Sequence, residues 1–579
     1  MNMTLTMTGK PSVDKPWLKY YPKELLDNLK VPQCTLTQYL QANMPGLDVP
    51  AIHYYGTEIT WAEILSTSER IAKSLKALGF GEGDQIPVFL RSVPEFFSML
   101  LAAEKIGASV LIRDNTIEEN VDAVAKANAS AIFTHDFLTM DDMNAYLQGT
   151  HVRKVILLSP CNRCDRKNMP DYIQSALDAN YVGESAHGEA TMSWNEFLAL
   201  GDSYTGEVAA PTNIDRPLFR CYTSGSTGPS KQVVHSAHTM VAALTQMNFY
   251  GNADFRPTWL VTLLPPALVA VVISMLLLPL ASNKLLILDP WMDPADIDLE
   301  FMRYKPNVWP MIPMFWEVIM DSKRMPADYD MSHLLSCGLG CEAYNNTQMA
   351  RSEQFLRDHN CHVPFLTSYG SSEAGSNIAF HVSDYPVRNG NIGCPMPLVT
   401  VSIFKPGTTE ELSYGMPGEI CVQSPCVMLG YDTPEATAKA LIKHPDGLVW
   451  LHMGDIGMMN EDGVIYTIGR GSCKRYGGGF LDILPMENIL ADAAIEGITD
   501  HFFVNIPDGE HEGYFIPYLY TILKDGYSVE DIRDKVHNVL EDYMIPERII
   551  SLPERPFWHF KTNRIGLTNE VLASRVCCG

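Results

Sequence analysis

The sequence predicts an α/β protein of more than one domain, and three observations carry that expectation. Between residues 50 and 114, apolar strand-like runs alternate with amphipathic helical ones. Ile59, Ile64 and Leu65 lead into Ile71, Leu75 and Leu78 at helical spacing, a turn follows at 79–84, and a strand follows at 86–90. Such alternation builds a sheet with helices packed on it. The chain has 579 residues, more than one ordinary core accommodates. Third, a Gly/Ser/Thr loop follows a short strand at 218–222 and precedes an apolar run, Val233 through Met240 and Leu244, that reads as a helix.

Composition narrows the class. Hydrophobic residues make up 46% and charged residues 19%, which are globular values. The net charge of -25 repels nucleic acid and anionic lipid, so neither is an expected partner. Any nucleotide site must therefore be locally basic. The 13 cysteines are scattered, with one lone C-x-x-C at Cys161 and Cys164, and read as reduced thiols. The first ten residues lack an apolar signal core, and a cytoplasmic protein is expected. Residues 259–281 carry no charge, but Pro265, Pro266 and Pro279 divide them into pieces too short for a bilayer. They read as a buried helix, and no integral membrane segment is expected. Residues 160–215 are rich in Asn, Asp, Gly and Ser without a long periodic run, and read as loops.

The Gly/Ser/Thr loop runs Thr223-Ser224-Gly225-Ser226-Thr227-Gly228-Pro229-Ser230-Lys231. Its glycines free the backbone to curl, its amides and hydroxyls can face one anion, and Lys231 adds a fixed positive charge. A helix starting at its end would favour the same anion. Ser230 and Gln232 flank the lysine where a Walker A loop has Gly and Ser or Thr, which disfavours a P-loop NTPase. Composition alone does not separate this loop from a solvated turn.

The loop resembles the phosphate loop of the adenylate-forming superfamily: acyl-CoA synthetases, adenylation domains of nonribosomal peptide synthetases, and firefly luciferase. Further stretches carry the same resemblance. A strand at 363–367 delivers Tyr369-Gly370-Ser371-Ser372-Glu373, similar to the family's Tyr-Gly-x-Thr-Glu; His452-Met453-Gly454-Asp455 and Gly469-Arg470 follow at the family's spacing. The leader around Pro16, Trp17 and Leu18 is similar to that of bacterial long-chain fatty-acid CoA ligases.

The resemblance implies a large N-terminal domain of stacked sheets with packed helices over 1–470, a hinge at 471–473 around Ser472, and a small mobile α+β lid over 474–579. It implies that Thr223, Ser224, Gly225, Ser226, Thr227, Gly228 and Lys231 hold phosphate, that Tyr369 stacks on adenine, and that Ser372 bonds the α-phosphate. By the same resemblance Glu373 holds Mg²⁺, which suits a hard cation, and Asp455 and Arg470 take the ribose hydroxyls. Gly477, Gly478 and Gly479 would let pantetheine pass. Relatives end in Thr-x-x-Gly-Lys; here Arg564 aligns with that lysine, with Lys561 three residues away. Arginine keeps the charge but presents a planar fork.

The implied acyl pocket includes Met247, Phe249, Leu268, Gly338 and Gly340. With no carboxylate in 259–281 to meet an ammonium, a fatty or aryl acid is expected rather than an α-amino acid. His235 and His238 resemble positions near the nucleotide but read as packing or surface histidines. The implied function is activation of a small-molecule carboxylic acid by ATP and Mg²⁺ to acyl-AMP, with pyrophosphate release and transfer to CoA. Two alternatives are an enzyme that loads the phosphopantetheine of an acyl carrier protein, and a non-catalytic relative that binds acyl-adenylate.

Overall fold

The computed structural model describes residues 7–209, 213–223, 230–248, 255–340, 342, 344–381, 385, 388–470, 473–558 and 561–577. Two large sheets dominate it. The eight-stranded sheet runs in the order Gly430–Tyr431, Gln232–Ser236, Pro217–Tyr222, Ser109–Ile112, Gln85–Phe89, Ala131–His135, Lys154–Leu158 and Thr191–Ser193. The other sheet has 14 strands. Its parallel half includes Thr258–Thr262, Leu285–Asp289, Val308–Met311, Ser336–Leu339 and Phe365–Ser371. From Phe365–Ser371 onward pairing turns antiparallel, through Ser376–Phe380 and Asn391–Pro395 to Ile465–Arg470 and Val449–Met459.

Helices bury the faces of these sheets. Thr60 caps Trp61–Ala77 with a reciprocal bond to Glu63, which ends the strand before it and starts the helix. Pro94–Ile106 is buried on nearly every side, as its all-round apolar sequence requires. Among the described residues no helix is long and apolar enough to cross a membrane.

Three expectations are corrected. Gln232–Ser236 is a strand, antiparallel to Pro217–Tyr222, and the helix begins only at Ala237. The β-branched pair Val233 and Val234 favours the strand, and Ser236 caps the helix through Thr239. The two strands flanking the Gly/Ser/Thr loop therefore form a hairpin, with no helix N-terminus directly after Lys231. Residues 259–281 are not one helix: Thr258–Thr262 is a strand, and Val271–Leu277 forms a π-helix continuing into Leu278–Ala281. Within 160–215, Thr191–Ser193 pairs with Lys154–Leu158, and Trp194–Ser203 packs against Trp61–Ala77. The Asn/Gly content masked these short elements.

C-terminal to the large sheets, Ile498–Pro507, Phe515–Leu523 and Arg548–Ser551 form a three-stranded sheet. Leu481, Met486, Phe503, Leu519, Ile532 and Val536 close an apolar core separate from the main one. Asn346 donates its amide to Asn488 Oδ1 at 2.9 Å, and Thr347 Oγ1 donates to Ala491 O at 3.1 Å, joining this unit to the larger one.

The turn from Phe365–Ser371 into Ser376–Phe380 is where backbone space is tightest. A Cβ on Gly370 would lie 1.7 Å from Ser376 O. Gly370→Ala should lower stability by at least about 2 kcal/mol, since overpacking here meets backbone and not a flexible side chain. Urea unfolding checks this.

Candidate active site

The phosphate hairpin is pinned at its base. Thr223 N–H donates to Lys231 O at 2.9 Å, Lys231 N–H to Thr223 Oγ1 at 3.1 Å, and Ser230 Oγ to Thr223 O at 2.5 Å. Ser224, Gly225, Ser226, Thr227 and Gly228 lie outside the described residues. Lys231 is exposed, and its Nζ stands 4.9 Å over the Tyr431 ring. Tyr431 OH donates to Glu373 Oε1 at 2.8 Å. Gly430–Tyr431 reaches this point by adding to the sheet edge beside Gln232–Ser236. The cation of one motif and the carboxylate of another thus contact one tyrosine, at its ring and at its hydroxyl. Sequence reasoning did not find Tyr431, because no motif spacing links it to residues 58 and 200 positions away.

His235 ties the same two motifs from behind. Its Nε2 donates to Ser372 O at 2.8 Å, and its Nδ1 lies 3.0 Å from Thr239 Oγ1, an arrangement that fixes the neutral Nε2–H tautomer. Burial pushes its pKa down to about 4. The ring is therefore a positioning group, and expected packing is part of what it does. His238 donates its backbone N–H to Ile214 O, outside this contact.

Tyr369 OH donates to Asp455 Oδ2, so the residue expected beside adenine and the one expected on ribose touch directly. Asp455 pairs with Arg470 across the ladder, although the Arg470 side chain is outside the description.

Other expected residues are distributed around this centre. Met247 ends the buried helix Ala237–Met247, and Ser274 of the π-helix donates to its sulfur at 3.5 Å. Leu268 is half-buried beside them, and Gly338 and Gly340 lie in and just beyond Ser336–Leu339, next to Leu366 and Ser368. Phe249 and Ser472 fall outside the described residues. Gly477 has φ +68°, while a Cβ on Gly478 or Gly479 would meet Tyr543 at 2.7 Å. In this arrangement Tyr543 covers the glycine turn.

Arg564 is fully committed. Its Nη1 binds Glu342 Oε1 at 2.8 Å, its Nη2 binds Glu487 Oε1 at 3.0 Å, and its Nε donates to Phe503 O at 3.0 Å. Glu342 also accepts the Thr562 N–H at 3.1 Å. Burial pushes the Glu342 carboxyl up, but Arg564 and the Thr562 bond outweigh it and hold the group below its ordinary range. Glu342 follows the strand bearing Gly338, so this ion pair joins the two units.

A profile of the AMP-binding enzyme family matches residues 40–432. The chain belongs to the AMP-binding enzyme family. The long-chain-fatty-acid–CoA ligase of Bacillus subtilis is 25% identical over 564 residues, covering 92% of this chain and 94% of that protein. Among solved structures, ATP-bound MatB from Rhodopseudomonas palustris matches with a TM-score of 0.73 at 18% identity, over 93% of this chain and 99% of that one. The anthranilate CoA ligase AuaEII with anthranoyl-AMP matches with a TM-score of 0.75 at 16% identity, over 95% and 99%. These neighbours share the fold. This AMP-binding enzyme is acyl-CoA synthetase-like, and its phosphate hairpin and Tyr369–Glu373 motif both lie inside the matched span.

His235 gives the family motif a pH signature. Its folded pKa, about 4, lies below the ordinary 6.5, so as pH falls between these values the unfolded chain takes up a proton that the folded chain refuses. Stability should fall through that window, by about 3 kcal/mol at most. In His235→Gln the loss over the same window should be smaller, measured by urea unfolding at pH 7, 5.5 and 4.5.

Proposed function

We propose that this AMP-binding enzyme joins a lipophilic carboxylic acid, fatty or aryl, to the thiol of CoA through an acyl-adenylate. The observation that carries the reading is the convergence of Lys231, Tyr431 and Glu373, braced by His235 on Ser372 and joined at Tyr369 to Asp455. On this reading it links a phosphate-binding cation, a metal-binding carboxylate and a ribose-binding carboxylate through neighbouring contacts.

A carboxylate is a poor acyl donor because oxide is a poor leaving group. Its oxygen attacks the α-phosphorus of ATP, the bond to the β-phosphate oxygen breaks, and pyrophosphate leaves. The product is a mixed anhydride whose leaving group is AMP. The CoA thiolate then attacks the acyl carbon and AMP departs. Positioning and charge neutralisation are the protein's share of the first step. Lys231 neutralises the departing phosphates, and Ser372, held by His235, faces the α-phosphate. Glu373 offers a hard oxygen; among the described residues its Oε2 has no partner, which fits Mg²⁺. Bound there, Mg²⁺ supplies charge neutralisation to the phosphates.

Arg564 is proposed to hold the acid and the α-phosphate together after exchanging the Glu342 carboxylate for that of the acid. Rotation about 471–473 then carries it away and brings up Gly477, Gly478 and Gly479. The ion pair between the two units supports such an exchange, since like replaces like. Support for a lipophilic acid comes from the uncharged wall at 259–281, and from the fatty-acid and aryl ligases that the chain resembles.

Lys231→Ala and Glu373→Ala should each lower pyrophosphate release by about 10²–10³-fold, as loss of one preorganised charge does. Arg564→Ala should impair acyl-AMP formation more than thioester formation from supplied acyl-AMP; equal losses would refute the exchange. Pyrophosphate release and thioester mass are to be followed with fatty, aryl and amino acids, with and without CoA. Release without a CoA thioester would indicate a carrier-protein acceptor, and no release with any acid would indicate a binding protein that activates none.

A further inference from the structure

The Cys161-x-x-Cys164 motif has no role in the reaction proposed above, yet the fold gives it a defined place after the strand Lys154–Leu158. Asn162 N–H donates to Ser159 O at 3.0 Å and Cys164 N–H donates to Cys161 O at 3.3 Å, so two overlapping turns fold the chain back on itself. In the second turn Cys161 and Cys164 are the first and fourth residues. Such a turn brings their Cα atoms within about 7 Å. A disulfide spans Cα separations of about 4.4–6.8 Å, so the turn supplies the backbone approach that a bridge needs. Both cysteines are half-buried free thiols.

Contacts outside the two sulfurs hold the turn in this form. The buried Tyr54 donates its hydroxyl to Pro160 O at 2.7 Å, Asn162 Nδ2 donates to Oε1 of the buried Glu95, and Arg163 Nη2 pairs with Glu63 at 2.8 Å. Both residues between the cysteines are thus anchored to helices of the main body. The two cysteine side chains also act directly on each other. The Cys164 thiol holds the Cys161 sulfur below the ordinary thiol range; burial opposes it, Arg166 adds to it, and Asp136 and Asp165 oppose it. Cys161 and burial together push the Cys164 thiol up. One sulfur is therefore the readier thiolate and the other keeps its proton, which is the division between an attacking and a resolving cysteine.

We propose that Cys161 and Cys164 are a reversible redox pair, closed to an intrachain disulfide by reaction with a low-molecular-weight disulfide of the glutathione class. The Cys161 thiolate attacks one sulfur of that molecule, its S–S bond breaks, and one thiolate leaves and takes a proton from solvent. Cys164 then gives its proton to solvent and attacks the Cys161 sulfur of the mixed disulfide, expelling the second thiolate, which is protonated in turn. Two protein thiols are oxidised to one disulfide while one small disulfide is reduced to two thiols. Closing the bridge fixes the turn at the seam where Tyr54, from a strand of the larger sheet, bonds the chain leaving a strand of the smaller one.

Peptide mapping of the full chain tests the pair. The folded protein is equilibrated with excess oxidised glutathione, quenched in acid, unfolded, alkylated and digested with trypsin. Cleavage after Lys154, Arg163 and Arg166 puts the two cysteines on separate peptides, 155–163 and 164–166. The closed form should give these two peptides joined as one mass that separates on reduction, and treatment of the folded chain with reduced glutathione should return both to the alkylated state. Cys164→Ser should retain one glutathione on Cys161, whereas Cys161→Ser should load Cys164 at least about tenfold more slowly, as a less ionised thiol does. The linked mass is read in the parent chain and does not depend on either variant folding. Both cysteines alkylated in the parent, or a glutathione that stays on Cys161 there without closing, would overturn the pair, and equal loading of the two variants would overturn the assigned order of attack.

Discussion

The contact between Tyr431 and Glu373 is the constraint on which the site depends. One phenol donates its proton to the carboxylate and offers its ring face to Lys231. Each element of that contact belongs to a different part of the fold. Lys231 closes a hairpin of the eight-stranded sheet, Tyr431 sits on its edge strand, and Glu373 follows the central strand of the larger sheet. The contact ties the edge of the smaller sheet to the larger one and places a cation and a carboxylate on the same tyrosine.

Around that contact, strain is placed where backbones must approach. Gly370 admits Ser376 O at a distance no side chain tolerates, and Ser376 itself takes φ +98°. Gly375, at φ +78°, lies against Cys426 O. These tight passages aim Ser372 and Glu373 toward the hairpin, with His235 holding the Ser372 carbonyl from the buried side. The π-helix at Val271–Leu277 packs on the other flank, where Ser274 reaches both Met247 and Ser376. A widened turn of this kind is commonly kept at functional sites.

One ion pair, Arg564 with Glu342, crosses between the large and small units beside the neutral bonds of Asn346 and Thr347. Arg564 links Glu342 on one side with Glu487 on the other, and Arg555 beside it is bound by Asp500. Buried pairs of this sort contribute little net stability, because desolvation offsets most of the attraction, but they strongly penalise a half-made arrangement.

The sequence by itself determined the α/β class, the adenylate-forming resemblance and the short motifs, because these are local: alternation of apolar runs, glycine turns and fixed spacings within a few residues. The resemblance is upheld by the match over residues 40–432. Tertiary structure decided the rest. Val233 and Val234 became strand because a partner strand lay alongside, overriding the helical periodicity that continues into Met240. Residues 191–203 joined a sheet edge despite a loop-like composition. Tyr431 and Glu342 entered the site through contacts with residues distant along the chain. Local propensity cannot encode such meetings, since they depend on which surfaces the packed sheets bring together.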